Sequence, residues 1–188
     1  MTDVILLWDS PLLFEKLFLE YGLECTRALS ASIGTPYLPP CKVLIVPTGF
    51  GNENYTKIRA GIERNKKAFE RFVEKGGILL VFSPLVPEYN YEWLPFKLKY
   101  ELEENSCTPV PVGEHEAQKL VEGSHPPLGF DGYFSESEAK VVLEDEKGRA
   151  VMVVWEAGKG LVVASTVHEL PAKEFFKCKV CGARKVKI

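Results

Sequence analysis

The chain has 188 residues, 46% of them hydrophobic and 26% charged, with a net charge of -3, a balance that describes one globular domain and excludes a disordered chain. The acidic excess argues against nucleic acid as a partner, because non-specific binding needs a basic surface that displaces phosphate counterions. No stretch approaches the roughly 20 apolar residues of a membrane span, and five cysteines without framework spacing suit a reducing compartment, so no membrane partner and a cytoplasmic location are expected.

Val4-Ile5-Leu6-Leu7-Trp8 is a continuous apolar run of strand length, as in a strand buried on both faces of a parallel sheet. It follows Asp3 and is too short for a signal peptide. Ser10 and Pro11 then fit an N-cap and first helical position. Leu13, Phe14, Leu17, Phe18 and Tyr21 recur at helical spacing, and Gly22 closes the helix. A second strand is expected over residues 24–28 and a third at Val43-Leu44-Ile45-Val46. Residues 56–75 then carry Ile58, Ile62, Phe69, Phe72 and Val73 on one helical face, and Gly76-Gly77 leads into a fourth strand over 78–82. Strands alternating with helices mark a doubly wound sheet with right-handed crossovers.

Beyond Pro84 the texture changes to proline, aromatic and acidic residues. The alternation Phe96-Lys97-Leu98-Lys99-Tyr100 reads as an exposed or edge strand, and residues 114–121 as a short helix. Strands over 139–143, 150–155 and 161–165 are joined by turns at 146–149 and 158–160 as antiparallel hairpins. Residues 171–188 read as a basic tail, set apart from a domain over 1–170 and carrying Cys178-Lys179-Val180-Cys181-Gly182.

Several of these pieces carry a family likeness. Leu44-Ile45-Val46-Pro47-Thr48-Gly49, the helix end Phe72-Val73-Glu74-Lys75-Gly76-Gly77, and the strand Ile78-Leu79-Leu80-Val81-Phe82 come in a characteristic order. His125-Pro126, Gly132-Tyr133-Phe134 and Gly158-Lys159-Gly160-Leu161-Val162-Val163-Ala164-Ser165-Thr166 follow. Together they resemble the class I glutamine amidotransferase-like superfamily, especially its trehalose-utilisation-type and other prokaryotic branches. The resemblance implies a three-layer α/β sandwich, flavodoxin-like, with a mainly parallel sheet and an antiparallel C-terminal hairpin extension. It also implies where catalysis would sit: a cysteine in a sharp turn after the fourth strand, and His-x-Glu after the last. Here the turn reads Phe82-Ser83-Pro84-Leu85 with no cysteine, Pro84 lacks an N–H, and His168-Glu169 are adjacent.

These departures lead to a non-catalytic binding, regulatory or assembly module as the expected function. The enzymatic alternative is a serine hydrolase with Ser83 as nucleophile, His168 as base and Glu169 as orienting carboxylate. Candidate ligand contacts are Asp9, at the end of the first strand, and Thr48, Gly49, Phe50 and Gly51, at the end of the third. The glycines there could present backbone N–H groups to an anion, or make only a tight turn. Asp9 could equally serve at a helix entry. Cys178 and Cys181 have the spacing of a zinc knuckle. One knuckle supplies half a tetrahedral site, so a zinc-bridged homodimer or a protein partner is a third reading, beside a disulfide or a free pair.

Overall fold

The computed structural model describes residues 2–168, 170–180 and 182–188. In chain order the elements are β1 (Val4–Leu7), α1 (Phe14–Glu20), β2 (Cys25–Ala28), β3 (Val43–Val46), α2 (Arg59–Glu63), α3 (Lys66–Glu74) and β4 (Ile78–Val81). They continue with β5 (Glu88–Asn90), β6 (Leu98–Glu101), β7 (Asn105–Cys107), β8 (Val110–Pro111), β9 (Leu128–Phe130) and β10 (Tyr133–Ser137). β11 (Lys140–Glu144), β12 (Ala150–Ala157), β13 (Gly160–Ser165) and α4 (Lys173–Val180) complete the chain.

The result is an α/β protein built on one large mixed sheet that is parallel at one end. Five strands run parallel in the order β2-β1-β3-β4-β13. From β13 onward the pairing is antiparallel, through β12 to β10, β6 and β5, with β11 and β8 branching from β12. β13 therefore joins the two regimes, parallel to β4 on one side and antiparallel to β12 on the other.

The apolar runs explain why both faces are covered. β1 buries all four side chains. Ile5 and Leu7 enter a core with Phe69 and Phe72 of α3, while Val4 and Leu6 enter a second core with Phe18 of α1 and Phe176 of α4. Alternation on a pleated strand sends successive side chains to opposite faces, so a strand without polar positions needs cover on both. Residues 171–188 contribute to this cover: Phe175, Phe176 and Val180 of α4 are buried, and Val186 pairs with Cys41 through two backbone hydrogen bonds.

Several expectations are corrected. α1 starts at Phe14, not at Pro11: Leu13 holds the N-cap position without a side-chain cap, and the Glu15 carboxylate accepts from the Leu12 N–H just before it. The long helix expected over 56–75 is two helices. Asn65 breaks it by donating from Nδ2 to the Gly61 carbonyl, and residues 57 and 58 are drawn into a turn on Asp9 and Thr56. The 96–100 run lies inside the sheet, since β6 has β5 on one side and β10 on the other, with Leu98 and Tyr100 buried. Residues 116–121 form a 3-10 helix whose N-cap is His115, its Nδ1 accepting from the Ala117 N–H.

Candidate functional site

The carboxyl ends of the parallel strands gather most of the residues singled out in the sequence, and open α/β sheets take their ligands at this edge. Ser83 follows β4 directly and is completely buried. Its hydroxyl lies against Asp131 and the Tyr100 phenol, yet makes no hydrogen bond of good geometry with either. Leu85, two residues on, holds the turn's only positive φ outside glycine among the described residues, at 52°, so the left-handed corner falls on an aliphatic side chain.

The Thr48-Gly49-Phe50-Gly51 loop packs on this turn. The Gly49 N–H donates to the Ser83 carbonyl at 2.7 Å and the Gly51 N–H to the Pro84 carbonyl at 3.2 Å. Asn52 Nδ2 adds a bond to the Leu85 carbonyl. Both glycine amides are thus spent inside the protein, and the loop is a brace for the β4 turn. Phe50 is fully buried, with its ring 5.3 Å from Tyr89 and 6.0 Å from Trp93. Thr48 is half-buried. Asp9 accepts from the Lys57 N–H at 2.8 Å. Burial pushes its carboxyl up, but the Lys57 amide, Thr56 and the Lys57 charge together hold it below the usual carboxylate value. Its role is to cap the approach to α2, a different helix from the one its position in the sequence suggests.

His168 does reach this edge, but its partner is Asp131. His168 Nδ1 and Asp131 Oδ1 are 2.8 Å apart. The backbone sets this pairing: the His168 N–H donates to the Gly129 carbonyl, the Asp131 N–H donates to the Thr166 carbonyl, and Phe130 bridges to Val167 between them. Asp131 is only 6% exposed, whereas the His168 side chain is 69% exposed. Burial pushes the Asp131 carboxyl up, against the opposing pull of the His168 ring. Tyr100 completes the group by donating to the Asp131 carbonyl at 2.6 Å, and burial raises its phenol. Glu169 lies outside the described residues.

Asp131 and Tyr100 are the residues that sequence reading missed. Asp131 stands between Phe130 and Gly132, immediately before the Gly132-Tyr133-Phe134 piece, and a carboxylate enclosed by apolar and glycine neighbours is the one signal available.

The Cys178 thiol is exposed in the last turn of α4 and accepts a hydrogen bond from the Lys119 ammonium at 3.0 Å. Cys181 lies outside the described residues. Among the described residues no group of three or more His, Cys, Asp or Glu side chains could hold a metal ion, and no helix is long and apolar enough to cross a membrane.

No family model and no curated protein matches the chain. Solved structures do. A ThuA-like protein of Bacteroides uniformis superposes with a TM-score of 0.53 at 14% identity, over 96% of this chain and 86% of that one. A cytoplasmic protein of Salmonella typhimurium gives 0.52 at 14% identity, over 98% and 100%. The β-galactosidase of Rahnella sp. R3 gives 0.54 at 13% identity over 94% of this chain, which spans only 30% of the enzyme's length. At such identities the likeness is one of fold: the chain has an α/β architecture shared with ThuA-like proteins.

Proposed function

We propose that this chain is a binding domain of the glutamine amidotransferase-like, flavodoxin-like kind, which works through the carboxyl edge of its parallel strands without a nucleophile of its own. The observation that carries this reading is the use of the Gly49 and Gly51 amides. A nucleophile turn needs free N–H donors aimed at the developing oxyanion, and here those donors hold the Ser83 and Pro84 carbonyls instead. Ser83 is completely buried and lies against the Asp131 carboxylate, whereas the His168 side chain is largely exposed. The strand order β2-β1-β3-β4-β13 supports the flavodoxin-like assignment, and the Bacteroides and Salmonella structures, covered over 86% and 100% of their length, support the likeness of fold.

The test is a turnover screen with ester, amide and glutamine substrates on the wild type and Ser83→Ala. No Ser83-dependent turnover is expected. Hydrolysis that Ser83→Ala abolishes would establish the serine hydrolase instead.

A further inference from the structure

Among the described residues, the buried side-chain oxygens without a hydrogen-bond partner belong to Ser83, Tyr91 and Asp131. Two of the three, Ser83 and Asp131, are neighbours, and Asp131 is the residue that pairs with His168. A buried oxygen left unpaired forfeits its hydration with no return. A fold that only needed to close its sheet would place an apolar residue at 131. Instead it buries a carboxylate, and two extended segments hold that carboxylate in register with an exposed imidazole.

The consequence for His168 is chemical. An ionised Asp131 accepts from Nδ1–H, which fixes the tautomer and makes Nε2 the accepting nitrogen of a ring whose side chain is 69% exposed. The surroundings offer acceptors and few donors: the Gly49 and Gly51 amides are used, and Glu104 adds negative charge close enough to act on Asp131. Such an edge suits a ligand that brings its own hydrogen-bond donor.

We propose that His168, held by Asp131 as a positioning residue, is the proton acceptor at this edge of the sheet, acting on the hydroxyl of a bound ligand or of water. The O–H proton passes to Nε2, the oxygen keeps the electron pair, and the imidazolium formed remains bonded to Asp131 through Nδ1–H. Ser83 is a buried neighbour of the pair and gives up no proton. The inference rests on the binding reading above and adds the working group and the ligand chemistry.

Diethyl pyrocarbonate, which acylates the free lone pair of a neutral imidazole, is the probe. His168 should be modified faster than the exposed His125 when sites are followed by peptide mass spectrometry at pH 7. Asp131→Asn should slow His168 by roughly tenfold or more, through loss of the tautomer, without changing His125, and Ser83→Ala should change neither. Nitrogen-15 NMR of the imidazole should show the Nδ1–H form in the wild type, a readout that still decides the matter if Asp131→Asn does not fold. A His168 rate no faster than that of His125, a rate indifferent to Asp131→Asn, or an Nε2–H tautomer in the wild type would overturn the inference. Failure of the underlying reading would show differently, as Ser83-dependent turnover, which none of these measurements detects.

Discussion

Gly51 is pressed against Pro84: a Cβ added to the glycine would lie 2.7 Å from the proline Cβ and 3.0 Å from its carbonyl oxygen. The contact is backbone to ring, so no flexible side chain can give way. Gly51→Ala should therefore destabilise the protein by about 1–3 kcal/mol, the usual cost of overpacking, read as a lower urea midpoint at unchanged slope. Gly182→Ala, with open space around its Cα, is the control and should shift the midpoint little.

Asp131 makes a prediction whose sign is unusual for an aspartate. Because burial raises its carboxyl above the ordinary value of 3.8, the folded chain holds a proton that the unfolded chain has already released. Its contribution is therefore most favourable below the ordinary value, and it is lost as pH rises through the raised one. Asp131→Asn should remove that dependence. As pH rises from about 4 through the raised value, the wild type should lose stability relative to the variant, measured as the difference between two denaturation curves at each pH. A gap that is flat or opposite in slope would show that the His168 bond dominates.

Arg149 is the keystone of a second polar group, with Asp145, Glu103 and Tyr133. Its Nε is 2.7 Å from Asp145 Oδ2, its Nη1 is 2.7 Å from Glu103, and its guanidinium stacks 4.2 Å above the Tyr133 ring. Burial pushes the Asp145 carboxyl up, but the Arg149 amide and guanidinium and the Lys147 amide bring it below its ordinary value. A carboxyl so depressed stabilises above its ordinary value, and that stability is lost as pH falls through the depressed one. Arg149→Ala should cost roughly 2 kcal/mol near neutrality, since it leaves the covered Asp145 carboxylate without its cation. The loss should shrink as pH falls through the depressed value and Asp145 takes up its proton.

Phe176 ties the chain's last helix to its first. Its ring meets Phe18 edge-on at 5.1 Å and Tyr21 at 6.0 Å, in a core it enters with only 2% exposed. Phe176→Ala should cost about 3–5 kcal/mol, as a large buried aromatic does on truncation. Phe175→Ala, on the same helix and equally buried, should fall in the same range. Calorimetry would distinguish both from the small effect of an exposed change such as Lys177→Ala.

Three of the strands that could be read in advance are continuously buried. Val4, Val43 and Ile78 each open a run of four residues buried on both faces, and such runs have no competing interpretation at that length. Gly22 and Gly158, at φ 75° and 60°, marked their turns by the same logic of backbone freedom. The strands that were missed are short and half polar, such as Glu88–Asn90 and Asn105–Cys107, and exist because a neighbour presents a free edge. The helix break at Asn65 depended on a side-chain bond to Gly61 that competes with the helical ladder.

At the candidate site the limit was of another kind. His168 could be singled out because it follows the last strand, where the resemblance places a histidine. Its partner could not. Asp131 is 37 positions away, and only the pairing of Phe130 with Val167 brings the two together. A motif read along the chain finds neighbours in sequence, so it offered Glu169, whereas the carboxylate was supplied across a bridge between two segments.

The position of β13 carries a consequence for how the molecule assembles. Its register partners in β4 begin at Ile78, while its own residues are Leu161 to Ala164, so a ribosome delivers β4 more than eighty residues before the strand that covers its edge. Until then the nascent sheet ends in a row of unpaired, apolar backbone, the kind of edge that recruits another chain. The separation is the longest among the parallel strand pairings, and loop closure of that span slows its formation. One side of β4 therefore stays open until β13 is made, and in that interval the edge is a site where another chain can pair.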